Sequence, residues 1–238
     1  MRVRVKFEKT GIMRYVGHLD LMRFFQKAVK RSELPIRYSE GFNPHQIMSF
    51  ASPLGVGLTS VGEYMDIDLK SEVASVDGLS RLNENMVEGL AITSFKYLPD
   101  DAEKCMSAVT AASYVVTYKD TNDDACYIDN IADLKVKFFD EAHEINIVKK
   151  TKKGERELDL KPLIYRFNLE IVDGVPIYDL LLSSGSTDNI KPELVIKAFH
   201  EFIGLPEFDD LSLDIQRIDM FTGEPDSLIS LGDIGDEH

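Results

Sequence analysis

Cysteine is scarce in this chain: 238 residues hold two, Cys105 and Cys126, and neither has a Cys-x-x-Cys companion. That excludes a Cys-ligated iron–sulfur cluster or a Cys-rich structural zinc site within one chain, and both residues read as ordinary buried or half-buried thiols. Long apolar runs are also missing. No stretch approaches the roughly 20 residues of a membrane span, and the RVRVKFE that follows Met1 lacks the apolar segment of a signal peptide. A cytoplasmic location away from membranes is the expectation. No GxGxxG, P-loop, GxSxG or HExxH pattern occurs, so the common nucleotide, hydrolase and zinc-protease readings have no support. Positive charge is the last shortage, with 27 Lys or Arg against 41 Asp or Glu and a net charge of −14.

That shortage is uneven. The first fifty residues carry ten Lys or Arg against four Asp or Glu, a balance of +6; the remaining 188 carry 17 against 37, a balance of −20. An acidic chain has no general reason to bind a polyanion, so any anion site belongs in this N-terminal block. The segment Tyr15–Gly57 is the densest in polar groups and turn residues.

Hydrophobic periodicity sets the expected organisation. Residues 2–8 alternate, with Val3, Val5 and Phe7 on one face and Arg2, Arg4, Lys6 and Glu8 on the other, as in a half-buried strand. Leu21, Met22, Phe25, Ala28 and Val29 fall at helical spacing over 19–32, and Pro35 ends that helix. A strand at 46–52 follows. A second alternating strand at 63–69 points Met65, Ile67 and Leu69 inward and Tyr64, Asp66 and Asp68 outward. A helix at 75–86 and a strand at 90–98 complete a βαββαβ order, the split βαβ of a ferredoxin-like fold. Element order then repeats: strand 108–118, helix 124–137, short strands near 143–148 and 157–160, a hairpin of 163–172 and 176–183 around Asp173-Gly174, helix 191–203 and strand 211–218. The expected architecture is α+β, two ferredoxin-like βαββαβ halves in tandem with antiparallel sheets. The halves cover 1–104 and 105–221, followed by a flexible acidic tail over 222–238.

Several constellations carry chemistry. Arg23, Lys27, Lys30 and Arg31 share one side of the first helix, where they could track a phosphate backbone or simply form a solvated face. In the loop Arg37-Tyr38-Ser39-Glu40-Gly41-Phe42-Asn43-Pro44-His45, Gly41 permits a positive φ and Asn43-Pro44 favours a turn. Arg37, Ser39 and His45 supply side-chain donors, and Asn43 a turn presenting main-chain N–H groups, that would suit a phosphate; the same groups could equally cap a structured crossover loop. Arg2, Arg4 and Lys6 lie across from Asp66 and Asp68 in this topology, so cross-strand ion pairs explain them better than RNA reading on the sheet. His18 and His45 are candidate acid–base residues, since histidine titrates near neutrality. With Asp20 they match no standard ligand spacing, and neither a metal nor another cofactor is expected. Lys149, Lys150, Lys152, Lys153 and Arg156 form a second basic patch at a hairpin tip, either an ordinary soluble turn or a nonspecific phosphate clamp.

The stretch GHLDLMRFFQKAVKRSELPIRYSEGFNPH, followed by SFASPLGVG, resembles the radical-SAM-linked protein family, a bacterial domain of unknown function. The resemblance is close from Val3 to about Leu69 and looser through ELDLKPLI at 157–164. It maps the family motif onto Gly17, His18, Asp20, Arg23, Arg37, Ser39, Gly41, Asn43, Pro44, His45 and Ser49. After His45 the chain has Gln46-Ile47 where the family pattern has Pro-Lys, so a lysine contact to phosphate is not implied there. Family members stand beside, or fused to, a cobalamin-binding-type radical SAM protein, often near genes for ribosomal proteins and an RNase of the E/G type. That setting implies work on RNA or ribosomes. No CxxxCxxC triplet is present, so this chain is not itself the radical enzyme.

The resulting expectation is a non-catalytic, RNA-binding accessory module. It would act with a radical SAM partner in rRNA or tRNA modification or ribosome-related processing. Two alternatives stand beside it: a metal-independent ribonuclease using His18 or His45, and a protein-interaction scaffold for the radical SAM enzyme.

Overall fold

Apolar side chains at every second residue of the first strand meet an apolar helical stripe, and the fold grows from that contact. A computed structural model describes residues 1–119, 128, 130–151, 154–185, 188–205 and 209–238. In chain order the elements are β1 (Arg2–Lys9), α1 (His18–Arg31), β2 (Met48–Phe50), β3 (Thr59–Asp68), α2 (Ser75–Asn83), β4 (Leu90–Tyr97), α3 (Cys105–Ala108), β5 (Ala111–Tyr118), α4 (Ile131–Lys135), β6 (Asn146–Thr151), β7 (Gly154–Asp159), β8 (Ile164–Val172), β9 (Val175–Ser183), α5 (Pro192–Phe202), β10 (Leu213–Thr222) and β11 (Ile229–Ser230). The chain is a mixed α+β protein with mostly antiparallel strands. It divides into two compact units, residues 1–110 with 217–238, and residues 111–216.

In the first unit β1 lies between β3 and β4, and β2 pairs with β3 on its other flank, all antiparallel. Val3, Val5 and Phe7 of β1 pack with Leu21, Phe25 and Val29 of α1 and with Met65, Ile67 and Leu69. The Phe7 and Phe25 rings stand 4.7 Å apart. Gly78 lets α2 approach β4, since a Cβ there would lie 2.6 Å from the Phe95 ring.

The sheet's second face departs from expectation. Tyr64 and Asp66, read as outward, are buried at 1% and 3% exposure, and Arg4 at 2%. The cause is long-range cover that local alternation does not encode. Arg2 donates to Ala102 O at 2.7 Å, Arg4 to Glu103 O at 3.0 Å, and Lys96 to Gly232 O at 2.8 Å. Residues 222–238 are therefore not a flexible tail. Ile229 pairs with Thr222, Leu231 is fully buried, Asp236 bridges to Tyr97, and His238 N–H donates to Ser75 Oγ at 3.0 Å. The strand expected to close the second half also departs from the expected division, because β10 belongs from Arg217 onward to the first unit.

In the second unit β9 lies between β5 and β8, while β6 and β7 pair separately. Asp173 and Gly174 both take positive φ, 51° and 81°, at the tight β8–β9 turn. Pro192 starts α5 and Gly204, at φ 74°, follows its end. The helix expected over 124–137 has its described part from Ile131, while 124–127 and 129, with Cys126, lie outside the described residues. So do Lys152 and Lys153 of the second basic patch.

Candidate functional site

Helix α1 turns Leu21, Phe25, Ala28 and Val29 inward and leaves Arg23, Lys27, Lys30 and Arg31 exposed. Arg23 pairs with Asp20 at 3.1 Å, both side chains well exposed, a contact worth little in water. Lys27, Lys30, Arg31 and Arg37 make no ion pair among the described residues. Lys30 and Arg31 also sit in the last turn, where the helix dipole favours cations.

The connection Ser32–Ile36 leads into the RYSEGFNPH loop, whose base is held by main-chain bonds. Arg37 N–H donates to Asp68 O at 2.7 Å, and Ile47 N–H donates to Arg37 O at 2.9 Å. Ser39 N–H donates to His45 O at 2.8 Å, and His45 N–H donates back to Ser39 Oγ at 3.1 Å. Ser39 Oγ also meets His45 Nδ1 at 2.8 Å. Ser39 and His45 are thus brought together, with Arg37, Asn43 and His45 exposed and Gly41 at φ 112° supplying the reversal.

His18 goes elsewhere. It is the first residue of α1, half-buried, with its ring edge-on to Phe50 at 5.5 Å. Among the described residues no hydrogen bond or ring contact joins it to His45, so the two candidate histidines have separate surroundings: Phe50 for His18 and Ser39 for His45. Among the described residues, no group of three or more His, Cys, Asp or Glu is arranged to hold a metal ion.

Beneath His18 lies a cluster that the sequence reading passed over. Lys9 continues the inward row Val3, Val5, Phe7, and Glu63 continues the inward row Leu69, Ile67, Met65. Phe7 and Glu63 are direct partners across β1 and β3. Both charged residues are buried, at 1% and 4% exposure. Arg217 closes the group, its Nη1 donating to Glu63 at 3.0 and 3.2 Å and to Ser52 O at 3.0 Å. Its Nη2 donates to Pro53 O at 3.2 Å, so one guanidinium ties the PLGVG loop to the sheet. Lys9 donates to Arg14 O at 3.3 Å, at the end of a short 3-10 helix over Gly11–Tyr15. Burial pushes the Lys9 ammonium below its ordinary range, with Glu63 opposing. Burial likewise raises the Glu63 carboxyl, with Arg217 opposing. Lys9, His18, Ser52 and Glu63 border a cavity of about 10 Å³, room for about one water. The missed signal was charge at inward register positions on two neighbouring strands.

On the sheet's other face Arg4 pairs with Asp66 at 2.9 Å, and Arg2 meets Asp68 at 3.9 Å, so these cations are occupied across the ladder. Asp66 also accepts from Cys105 N–H at 2.7 Å, and the Cys105 thiol donates to Ser49 O at 3.3 Å. Burial pushes that thiol up to about 12, with the Asp66 carboxylate adding to the rise. In a Cys126→Ser protein, Cys105 should therefore resist alkylation at neutral pH and react fully once denaturant is added. Rapid labelling of the folded protein would contradict this burial. Because the folded pKa is raised, the thiol's contribution to stability is present below the ordinary thiol range and is lost as pH rises towards about 12.

The second unit holds a cavity of about 610 Å³ bordered by Ile147, Val148, Leu194, Lys197, His200 and Glu201, none of them an expected site residue. No helix among the described residues is long and apolar enough to cross a membrane.

Comparison with curated proteins finds no match. Among solved structures, the chain is similar to one chain of a crystal structure of a Cbf5-Nop10-Gar1 complex, at 9% identity and TM-score 0.48. The match covers 92% of this chain and 48% of that one, so the chain spans about half the length of that neighbour. A family model described as an uncharacterized protein conserved in bacteria (DUF2344) matches residues 2–192. The chain belongs to that family.

Proposed function

We propose that this protein is an RNA-binding accessory module that works beside a radical SAM partner in rRNA or tRNA modification or ribosome-related processing. The observation that carries the reading is the row of exposed cations on α1, continued by Arg37, in a chain whose net charge is −14. Exposed Lys and Arg at helical spacing suit a phosphate backbone, and the rest of the chain would repel one. The βαββαβ order of the first unit, with β1 between β3 and β4, supports a ferredoxin-like half that presents this helix. A second ferredoxin-like half and a cytoplasmic setting belong to the same proposal. The partner rests on the GHLD and RYSEGFNPH resemblance.

Filter binding with tRNA and rRNA fragments tests the proposal. Arg37→Gln, which removes an exposed cation without disturbing the loop's main-chain bonds, should weaken binding about tenfold. Affinity that ignores both Arg23→Gln and Arg37→Gln would remove the site from the account.

A further inference from the structure

Phe42 is fully exposed, at 105% of its reference area, at the apex of the RYSEGFNPH loop. A large apolar ring on a slack loop would fold back onto the protein, because leaving it in water is unfavourable. This loop is not slack. The three Ser39–His45 hydrogen bonds, the Tyr38–Gln46 bridge and the Arg37 main-chain bonds fix its base, and Gly41 at φ 112° sets the turn just before the ring. Tyr38, at the base, is 38% exposed and has Lys70 Nζ 5.8 Å from its ring centre. Lys70 is exposed beside the Tyr38 ring, Arg37 is exposed next to Tyr38 in sequence, and Lys30 and Arg31 lie just upstream.

We infer that the Phe42 turn is a stacking platform for an unpaired nucleobase, so that the RNA taken by this site is single-stranded. The inference rests on the RNA-binding reading above and names its substrate class. Aromatic faces flanked by cations that follow the backbone are how single strands are held without sequence preference. A duplex offers no such contact, since its bases are stacked inside and only phosphates, 2′-hydroxyls and groove edges are displayed. An apolar protein partner is a poorer fit. Phe42 is the sole large apolar side chain between Ser39 and His45, with Glu40, Asn43 and His45 around it. Glu40 repels a phosphate but not the face of a base.

Fluorescence anisotropy with a short oligouridylate and a blunt RNA duplex of equal length tests the inference. The wild-type protein should bind the single strand more tightly. Phe42→Ala should weaken single-strand binding by about tenfold or more and leave duplex binding unchanged. Phe42 touches no core, so this variant keeps the fold. Phe42→Trp should retain affinity and give the chain its sole tryptophan, whose emission should be quenched by the oligouridylate. If Arg37→Gln weakens binding while Phe42→Ala does not, or the duplex is preferred, the stacking inference fails and the RNA reading stands. If the wild-type protein binds neither RNA, both fail.

Discussion

Replacing Arg217 with alanine should destabilise the protein by about 3–5 kcal/mol, the usual cost of stranding one partner of a buried ion pair. Arg217 donates to both Glu63 oxygens and to the carbonyls of Ser52 and Pro53, and all of these lie in the first unit. Removing it leaves a buried carboxylate and two main-chain acceptors without that donor. The loss should be smaller near pH 5 than near pH 8. The Glu63 carboxyl already sits above its ordinary range, and without Arg217 it rises further, so at mildly acidic pH it takes a proton and escapes most of the penalty. The sign follows from the raised pKa: stability linked to Glu63 is present below the ordinary carboxylate range and lost as pH rises through the folded value. A Glu63→Leu/Arg217→Met pair should recover part of the stability, because apolar groups can replace the buried ion pair. The Ser52 and Pro53 carbonyls still lack the Arg217 donor, and Lys9 lacks its carboxylate. Thermal or urea unfolding at the two pH values checks this. A loss below about 1 kcal/mol at both would show that the cluster does not hold the PLGVG loop to the sheet.

The second large effect is on binding. Lys27→Glu, Lys30→Glu and Arg31→Glu together should lower RNA affinity by more than about a hundredfold at about 0.1 M salt. All three side chains are exposed, and none makes an ion pair among the described residues, so the reversal acts on the electrostatic face and leaves the apolar stripe Leu21, Phe25, Ala28, Val29 intact. Acidic residues in the last turn oppose the helix dipole, so α1 should fray slightly at Arg31. Circular dichroism should nonetheless match the wild-type spectrum. A variant that keeps its affinity would mean that α1 presents only a solvated surface.

The strands and helices with strong periodicity were legible in the residues themselves. Val3, Val5 and Phe7 announce β1, and Leu21, Phe25 and Val29 announce the buried stripe of α1. Asp173-Gly174 and Gly204 mark turns that only permissive backbones make. What escaped depends on partners far away in sequence. Tyr64 and Asp66 read as outward because alternation describes one strand, while their cover comes from residues near 105, 219 and 230. Residues 222–238 read as loose because of their Gly, Pro and acidic residues, yet Leu231 and Asp236 find places on the first unit. Glu63 and Arg217 are 154 residues apart, so no local pattern joins them. The candidate site was more legible than the core cluster because its residues are consecutive. Arg23 to His45 sit within one helix and one loop, although the exposure of Phe42 emerges only from the loop's closure.

The most direct measurement is the slope of log affinity against log salt for single-stranded RNA, compared between the wild-type protein and the Lys27/Lys30/Arg31 reversal. Each phosphate contact to a single strand contributes about −0.7 to that slope, so the wild-type line should be steep and the variant's shallower by about 2. A wild-type line with no salt dependence, or the same slope in both proteins, would contradict the claim that α1 tracks a phosphate backbone.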